Sequence, residues 1–420
     1  MKTKATLRYW LLGLGLLAIT PWAIFAQTVD APKGLTVNGY GRTKVGTLLN
    51  NGAYFLSENT LNLRMNYTAG PTDFYANPVL YERSGVLQNP DLRELYLDLH
   101  QDLFDLRIGK QQIIWGKGDG VFITDLISTK DLSQFLVPDF EEIRRAVTAT
   151  KIDLYQGYHS LELVWVPWFT PTISPDSASI WAPSIPFPIK PTVKPAETPA
   201  FTLENSEYFA KYSYLGESFD VSLMGGWLWN DTPAFTVVSK TGTQSTGLTA
   251  LTVQGQYYQT YVAGYAASAT AGPLILRSEG AYYGVKRYQA DLMTFSSGYA
   301  EKPEIQYLVG ADYSIAGITM GLQFIQSIIL DYDSALLDDQ FKNTVTLVVS
   351  RTFFQDTVKT EVFSYMGLNA PDALIKPKIT WTAADGLELF TGAYIFLGDS
   401  GDFGQYHDNN GLYVGAKLSF

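Results

Sequence analysis

Hydrophobic and polar residues alternate one by one through most of the chain, and its last ten residues, GLYVGAKLSF, show the pattern clearly. Leu412, Val414 and Leu418 occupy one set of alternate positions, and Tyr413 and Lys417 occupy the other. Alternation of this kind places successive side chains on opposite faces of a β-strand. The same pattern recurs in residues 61–68, 94–100, 304–315 and 386–397. No segment after the first 26 residues shows helical periodicity of comparable strength, so the pattern predicts an all-β fold.

Short turns and longer segments alternate between these strands. Short turns are predicted near 69–71, 100–102, 156–159, 215–218, 270–272, 316–317, 355–356 and 384–386. Longer connections are predicted at 49–57, 82–91, 112–144, 167–205, 230–254, 288–302, 331–340, 370–372 and 399–409. Eight short turns and nine other connections require eighteen strands and leave both chain ends on the short-turn side. This arrangement is typical of a transmembrane antiparallel β-barrel of the bacterial outer membrane, and we expect about 16–18 strands with long outer loops.

A soluble β-sandwich or propeller would also alternate, so the membrane barrel rests on further features. The predicted strands supply the ~9–11 residues that a spanning β-strand needs. Tyr and Trp residues lie near many strand ends, as in interfacial girdles: Tyr54, Tyr75, Tyr81, Trp165, Trp168, Trp227, Trp229 and Trp381. Phe420 ends the chain after an alternating strand and resembles the signal by which outer-membrane barrels are recognised for insertion. Outer-membrane lipid and the barrel-assembly machinery are therefore expected partners.

The first residues predict export from the cytoplasm. Three basic residues precede an apolar run at 10–20, and Ala26 closes a plausible cleavage site. This is the anatomy of a secretory signal peptide over residues 1–26, which leaves a barrel of residues 27–420. An uncleaved membrane anchor is the alternative, but the apolar run is shorter than the ~20 residues that a spanning helix needs.

Composition excludes several classes of protein. The 420 residues include no cysteine, which excludes a disulfide scaffold and a thiolate metal site. Acidic residues outnumber basic ones by 41 to 30, so phosphate repulsion makes the chain a poor nucleic-acid binder. We expect no nucleic-acid partner, no cofactor and no metal.

An enzyme is not expected. The chain has three histidines, and only His407, next to Asp408, lies in a long loop with acidic neighbours. A solvated loop pair explains these two residues better than a catalytic site does. Asp399, Asp402 and Asp408 could bind calcium weakly, but they lack the spacing of a 12-residue oxygen-ligand loop.

The polar face of the predicted strands carries charges of both signs. Candidate lumen-wall residues are Arg42, Arg64, Glu94, Asp98, Arg107, Arg277 and Glu279. Such charges could pair with neighbours and keep the wall wet, or they could form a transverse field that orients polar solutes. A barrel of this size is too wide for its wall side chains to fill, so the lumen is either an aqueous path or is plugged by the protein's own loops.

The third outer connection, residues 112–144, is too apolar for a solvated outer loop. We expect it to fold inward as a constriction or plug, with an external cap as the alternative and one short helix over 128–135. Its acids outnumber its bases, which predicts a preference for cations. Candidate constriction residues are Trp115, Lys117, Asp119, Asp125, Lys130, Asp131, Glu141, Glu142, Arg144 and Arg145. The Gly-rich stretch at 116–120 is not a phosphate loop, because it lacks the Lys-Ser/Thr ending.

Part of this segment resembles a known family. IGKQQIIWGKGDG, then Asp125, KDLSQF and FEEIRR, resemble an element of an uncharacterised family of bacterial outer-membrane β-barrel proteins. The match runs from Gly109 to Arg145; Lys110 stands where Arg is usual, and residues 128–130 replace an Asn-Pro-x turn. The resemblance implies an outer-membrane, porin-like barrel with an elaborate third loop, and no established activity comes with it.

The connection at 167–205 is rich in proline. Nine of the chain's 20 prolines lie at 167–199, with Trp and Phe residues between them. Proline disfavours a strand ladder and favours extended polyproline geometry. We expect either a stiff outer loop over the barrel mouth or an aromatic lid that grips an apolar or sugar-like solute.

Two functions remain open at this point. One is an outer-membrane channel that passes small solutes, with residues 112–144 setting the passage. The other is a plugged barrel without conductance that has a surface-binding or structural role. The solute, the direction of transport and the oligomeric state do not follow from the sequence.

Overall fold

The structure is a computed structural model that describes residues 33–184, 187–243 and 247–420, so the predicted signal peptide lies outside the described residues. Eighteen strands form the barrel: β1 Leu35–Leu48, β2 Tyr54–Ala69, β3 Thr72–Arg83, β4 Asp91–His100, β5 Phe104–Gln111, β6 Val147–Gln156, β7 His159–Val166, β8 Glu207–Leu215, β9 Phe219–Trp229, β10 Gln259–Ala271, β11 Leu274–Gln289, β12 Tyr299–Ile315, β13 Ile318–Ile329, β14 Phe341–Phe353, β15 Val358–Gly367, β16 Asp372–Ala384, β17 Leu387–Leu397 and β18 Gly411–Ser419.

Each strand pairs antiparallel with the next, and β18 returns to pair with β1 from Tyr40↔Ser419 to Leu48↔Gly411. The closed sheet satisfies the backbone donors and acceptors of every barrel strand without an open edge, as a wall surrounded by lipid requires. The predicted fold class is confirmed. The eight short turns lie where the alternation places them, and the nine longer connections leave the other end of the barrel.

The side chains alternate across the wall as predicted. On β17, Leu389 points outward and is 38% exposed, whereas Glu388 faces the lumen and pairs with Lys417 of β18 at 3.6 Å. Outward aromatic residues stand in register across β7 to β10: Trp165 opposite Tyr208, Tyr208 opposite Trp227, and Trp227 opposite Tyr261. This row is an interfacial girdle.

Two of the expected girdle residues face inward instead. Tyr75 stacks on Tyr96 within the lumen, with ring centroids 4.9 Å apart, and Tyr81 lines a lumen cavity. Trp229 shares the outward face of Trp227, and its indole donates to the carbonyl of Asn205 in an outer connection. Proximity to a strand end therefore does not identify the face, because neighbouring residues point to opposite sides of the wall.

The outer connections contain structure of their own. Thr192–Glu197 pairs parallel with Gly247–Gln256, which pairs antiparallel with Ala234–Thr243, and Pro195 lies at an irregularity of the parallel pairing. A proline is tolerated there because the strand is at a sheet edge. A two-residue strand, Val86–Leu87, extends the β3 ladder. The helical turns of the described residues are Phe140–Ile143, Leu203–Asn205, Gly401–Gly404 and His407–Asn409. None of these is long and apolar enough to cross a membrane.

Candidate functional site

The third outer connection spans residues 112–146, hereafter segment 112–146, and it joins two adjacent strands, β5 and β6. Its hydrogen bonds nevertheless reach the far side of the lumen. The backbone N–H of Lys117 donates to Glu279 of β11 at 2.9 Å, and that of Asp119 donates to Gln323 of β13 at 2.9 Å. The segment therefore crosses the interior of the barrel.

A first apolar cluster joins the segment to the wall of β6 to β13. Ile113, Trp115, Ile123 and Ile127 of the segment are buried against inward-facing side chains of these strands. The contributing wall residues include Val147, Val164, Phe209, Met224, Leu228, Val262, Leu308 and Ile325. The indole N–H of Trp115 donates to Glu162 at 2.7 Å, which satisfies its one polar group. We call this cluster the dock.

The dock is the feature that sequence reasoning missed, although a signal for it exists. An inward position in an aqueous barrel is expected to be polar, yet Phe209 and Leu308 are apolar and buried at 4% and 0% exposure. Apolar residues on the lumen face indicate where a folded-in segment removes water from the wall.

A second cluster surrounds the later part of the segment. Phe135 packs against Tyr406 of the last outer connection, with ring centroids 4.6 Å apart, and Phe140 packs against Phe363 of β15. Trp181 of the Pro-rich connection is buried in the same cluster. The outer connections therefore cover the segment with aromatic side chains.

The segment comes very close to β15 at Gly120, whose φ is +80°. A Cβ atom on this residue would lie 2.5 Å from the ring of Phe363, so the approach requires glycine. The Gly120 carbonyl also accepts a hydrogen bond from Tyr365 at 2.8 Å.

The helix predicted over 128–135 is wrong. Thr129–Lys130 instead pairs antiparallel with Arg144–Arg145, and Phe135 adopts a left-handed conformation with φ of 53°. These two stretches satisfy part of their backbone by pairing with each other, and the helical turn of the segment forms directly before the second of them. We call that turn, Phe140–Ile143, the tip helix.

The acids at the start of the segment are paired. Asp119 lies 3.0 Å from Arg277 of β11, which also pairs with Asp312 of β12. Asp125 accepts from the Arg144 guanidinium at 2.7 Å and has a side chain that is 1% exposed. These pairs remove much of the basis for the expected cation preference, because a paired acid contributes little net charge to a passing solute.

Other predicted residues lie at different places on the wall. Asp98 and Arg107 form a two-bond ion pair at 2.7 Å on β4 and β5, and Glu94 accepts from the Gln112 N–H at 2.9 Å. Glu279 accepts from the Thr124 hydroxyl at 2.8 Å, in addition to its bond from Lys117. The Lys117 ammonium donates to Ser268 of β10 at 2.8 Å.

The base of the segment is joined to the outer connections. The ammonium of Lys130 lies 3.2 Å from Asp231, which also accepts from the Thr172 hydroxyl at 2.8 Å. Burial raises the pKa of Asp231, but Lys130 and Thr172 outweigh it and the pKa lies below the usual range. The backbones of Asp131 and Ile173 form an isolated parallel β-bridge. Arg145 donates a hydrogen bond to the carbonyl of Pro171 at 2.9 Å.

Two cavities lie on the opposite side of the lumen, against β1 to β5 and β16 to β18. The outer cavity, about 260 Å³, reaches Gln88 in an outer connection, and the inner one, about 570 Å³, reaches Ser419 near the short-turn end. Both are lined by Arg42, Lys44, Arg93 and Glu142. They therefore meet where the tip helix faces β1 and β4.

Arg42 is the centre of this narrowing. Its guanidinium lies 2.7 Å from Glu142 of the tip helix and 3.0 Å from Glu58 of β2. The neighbouring bases bind neutral oxygens: Lys44 donates to the Tyr394 hydroxyl at 3.0 Å and Arg93 to the carbonyl of Glu141. The positive charge of Lys44 and Arg93 is therefore only weakly compensated.

Basic side chains dominate the outer cavity. Its lining has seven of them, Arg42, Lys44, Arg83, Arg93, Lys110, Arg144 and Arg145, against the four acids Glu58, Asp91, Asp131 and Glu142. The inner cavity is more balanced and includes Arg64, Glu141 and Asp139. Burial within the barrel raises the pKa of Asp139, but Lys378 and Lys44 outweigh it and hold the pKa below its usual range.

The last outer connection shows no catalytic arrangement among its described residues. His407 Nδ1 lies 3.0 Å from the Gly404 carbonyl, and its Nε2 lies 3.6 Å from Asp408. Asp402 pairs with Lys342 at 2.7 Å. Across the described part of the chain, no group of three or more His, Asp or Glu side chains is placed to hold a metal ion.

Comparison with known proteins identifies the architecture. No protein-family model and no curated protein sequence matches the chain. Among solved structures, OccK3 (OpdO) of Pseudomonas aeruginosa aligns with a TM-score of 0.55 at 10% identity, covering 92% of this chain and 95% of that one. OccAB1 of Acinetobacter baumannii aligns with a TM-score of 0.53 at 8% identity, covering 92% and 95%. OccK2 (OpdF) of Pseudomonas aeruginosa, crystallised in complex with glucuronate, aligns at 0.52 and 10%, covering 92% and 97%.

These alignments show a shared fold. The closed 18-stranded barrel of this chain shares its fold with these proteins over 92% of the chain. At 8–10% identity they carry no residue correspondence, so the chemistry of the lumen is argued from this chain alone.

Proposed function

We propose that the protein is a channel of the bacterial outer membrane that passes small, negatively charged solutes. The observation that carries the proposal is the pair of lumen cavities that meet at Arg42 with Lys44 and Arg93 beside it. Positive side chains in a narrow, poorly screened space attract anions and repel cations. Segment 112–146 is the constriction in this proposal, since its tip helix forms one side of the narrowing.

Carboxylates fit the narrowing best. Guanidinium groups bind carboxylate oxygens in a planar, two-bond geometry. The chain's own Glu142 already contacts Arg42 through one carboxylate oxygen. Among the structural neighbours, OccK2 was crystallised with a sugar acid, glucuronate. We propose that this chain passes solutes of the same general chemistry, small molecules with a carboxylate.

Export and assembly complete the proposal. Residues 1–26 act as a signal peptide, and Phe420 acts in recognition by the barrel-assembly machinery. Phe420 exchanges two backbone hydrogen bonds of 3.0 Å with Gly39 of β1, and its side chain is half exposed on the outside. A terminal aromatic at the closing seam is placed where the assembly machinery would meet the last strand.

A plugged barrel without conductance is the second candidate. It is favoured by the contact at 2.7 Å between Arg42 of the wall and Glu142 of the segment, which joins the two sides of the narrowing. Purified protein in a planar bilayer separates the two. A steady current supports the channel. Silence that persists after deletion of residues 117–142 supports the plugged barrel.

The anion preference is tested by reversal potential in a potassium chloride gradient. We expect wild-type protein to favour chloride and Arg93→Gln to lose part of that preference. Arg351→Gln, which changes an exposed residue of β14 at the short-turn end, is the matched control and should leave the reversal potential unchanged. Equal values for wild type and Arg93→Gln would contradict the assignment of this wall to the passage.

A further inference from the structure

We infer that Asp125 and Arg144, the neck pair, are positioning residues that set the width of the passage without lining its narrowest point. The inference rests on the proposed channel function and concerns how the tip helix is held at Arg42. The neck pair lies where segment 112–146 leaves and re-enters the wall.

Asp125 joins the two limbs of the segment through a single carboxylate. One oxygen accepts from the backbone N–H groups of Trp115 at 2.9 Å and Gly116 at 2.8 Å on the departing limb. The other accepts from Arg144 Nε at 3.0 Å and Nη2 at 2.7 Å on the returning limb. Four donors therefore converge on one side chain, which is the maximum a carboxylate usually accepts.

The surroundings make these bonds strong and directional. The side chains of Asp125 and Arg144 are only 1% and 12% exposed, and Phe122 lies 5.2 Å from the Arg144 guanidinium. Charge-assisted bonds are short and strong where water is excluded. Gly116 also approaches the carboxylate closely, because a Cβ on this residue would lie 3.2 Å from the Asp125 carboxyl carbon.

The neck pair is connected directly to the narrowing. Arg144 follows the tip helix in the chain, and Glu142, two residues earlier, contacts Arg42 at 2.7 Å. Trp115, on the other limb, is buried in the dock. The Asp125 carboxylate thus links the immobile dock to the base of the tip helix, so the distance between the tip helix and Arg42 depends on it.

The experiment measures geometry separately from charge. Neutral polyethylene glycols reduce the single-channel current only when they are small enough to enter the passage. The smallest polymer that leaves the current unchanged, the cut-off, therefore reports the width of the passage. We expect Asp125→Asn to shift this cut-off to larger polymers. The isosteric amide keeps an acceptor for Trp115 and Gly116 but no longer binds the Arg144 guanidinium. Glu304→Gln is the matched control, because it breaks a largely buried ion pair, with Lys286 at 2.6 Å, between two strands of the wall.

A covalent replacement provides the rescue. The chain has no cysteine, so Thr129→Cys with Arg145→Cys introduces a single possible disulfide. These two residues stand directly opposite in the antiparallel pairing of the limbs, at a separation that a disulfide can bridge. In the Asp125→Asn background, oxidised protein should regain the wild-type cut-off, and reduction should widen it again.

The outcomes separate the possibilities. An unchanged cut-off in a conducting Asp125→Asn protein overturns the inference while leaving the channel function intact, and so does a change confined to the reversal potential. A wild-type protein that is silent overturns both. If Asp125→Asn alone gives no folded barrel, the oxidised disulfide form in that background must fold with the wild-type cut-off, and its failure to do so also overturns the inference.

Discussion

The two sides of the lumen are built from the same alternating strands but differ in what their inward positions carry. The dock, on β6 to β13, presents Phe209, Leu308 and similar apolar residues that are covered by segment 112–146. The opposite wall, on β1 to β5 and β16 to β18, presents Arg42, Lys44 and other charged residues that line the two cavities. The passage is therefore off-centre: the dock wall is covered by the segment, whereas the opposite wall lines the two cavities and also packs against the later part of the segment.

The largest effect is expected from opening the dock. Trp115→Ala removes a buried aromatic ring and leaves Glu162 without its indole partner. We expect the free energy of unfolding to fall by ~3–5 kcal/mol, the usual cost of such a truncation. Trp381→Ala, on the outward face and half exposed, should cost less. Urea unfolding in detergent micelles measures both, and equal losses would mean that the dock does not stabilise the barrel.

The next effect tests which face of the wall is which. Leu389→Arg places a charge on the lipid side two residues from the start of β17, where arginine costs less than the ~2–4 kcal/mol of the bilayer midplane. Glu388→Arg, one residue earlier, stays in the lumen next to water and should cost much less. Refolding into phosphatidylcholine vesicles compares the two. Similar free energies of unfolding for the two variants would mean that the assigned faces are wrong by one residue, because a one-residue shift moves every side chain to the other face of the wall.

A smaller effect is expected at the narrowing. Glu142→Gln removes the carboxylate that neutralises part of the Arg42 charge, so the reversal potential should move further toward anions, most strongly at low salt. Asp356→Asn, in a short turn at the other end of the barrel, is the control. If the reversal potential of a conducting Glu142→Gln protein moved toward cations, or did not move, Glu142 would lie outside the path of the ions.

The smallest effect is expected from pH. Asp139 has its pKa held below the usual range, so its charge, and the attraction to Lys378 that depends on it, is fully present above the ordinary Asp value of about 3.9. That contribution is lost only as the pH falls through the depressed pKa. Single-channel conductance should therefore stay constant from pH 7 down to about 5. Asp139→Asn should remove the change seen at lower pH.

Much of the fold could be predicted because it depends on local periodicity. The alternation around Leu389 and Leu412 and the short turns between strands are visible within a few residues, and they define the strand number and the inward face. The partners across the lumen could not be predicted in this way. Asp119 meets Arg277, and Trp115 meets Phe209, only because the segment crosses the barrel. Its apolar content predicts the inward fold, but no local pattern encodes which wall residues it reaches.

The same limit explains the misplaced helix. Residues 128–135 have a sequence compatible with a helical turn, but Thr129–Lys130 finds its partner in Arg144–Arg145, more than a dozen residues later. Tertiary pairing outweighs a weak local propensity. The apolar lumen positions were present in the strand patterns, yet a buried inward leucine such as Leu308 and an outward leucine look alike until the covering segment is known.

The dock and the passage are built from different residues, and the chain has no cysteine. Both features matter for how the barrel can be changed. Solute preference can change through substitution of the charged residues that line the cavities on β1 to β5 and β16 to β18, while the dock residues stay constant. The charge of the passage can therefore be varied without changing the dock. A thiol introduced on the passage wall would be the only one in the molecule, so this barrel can carry a single chemical label at a chosen depth of its lumen.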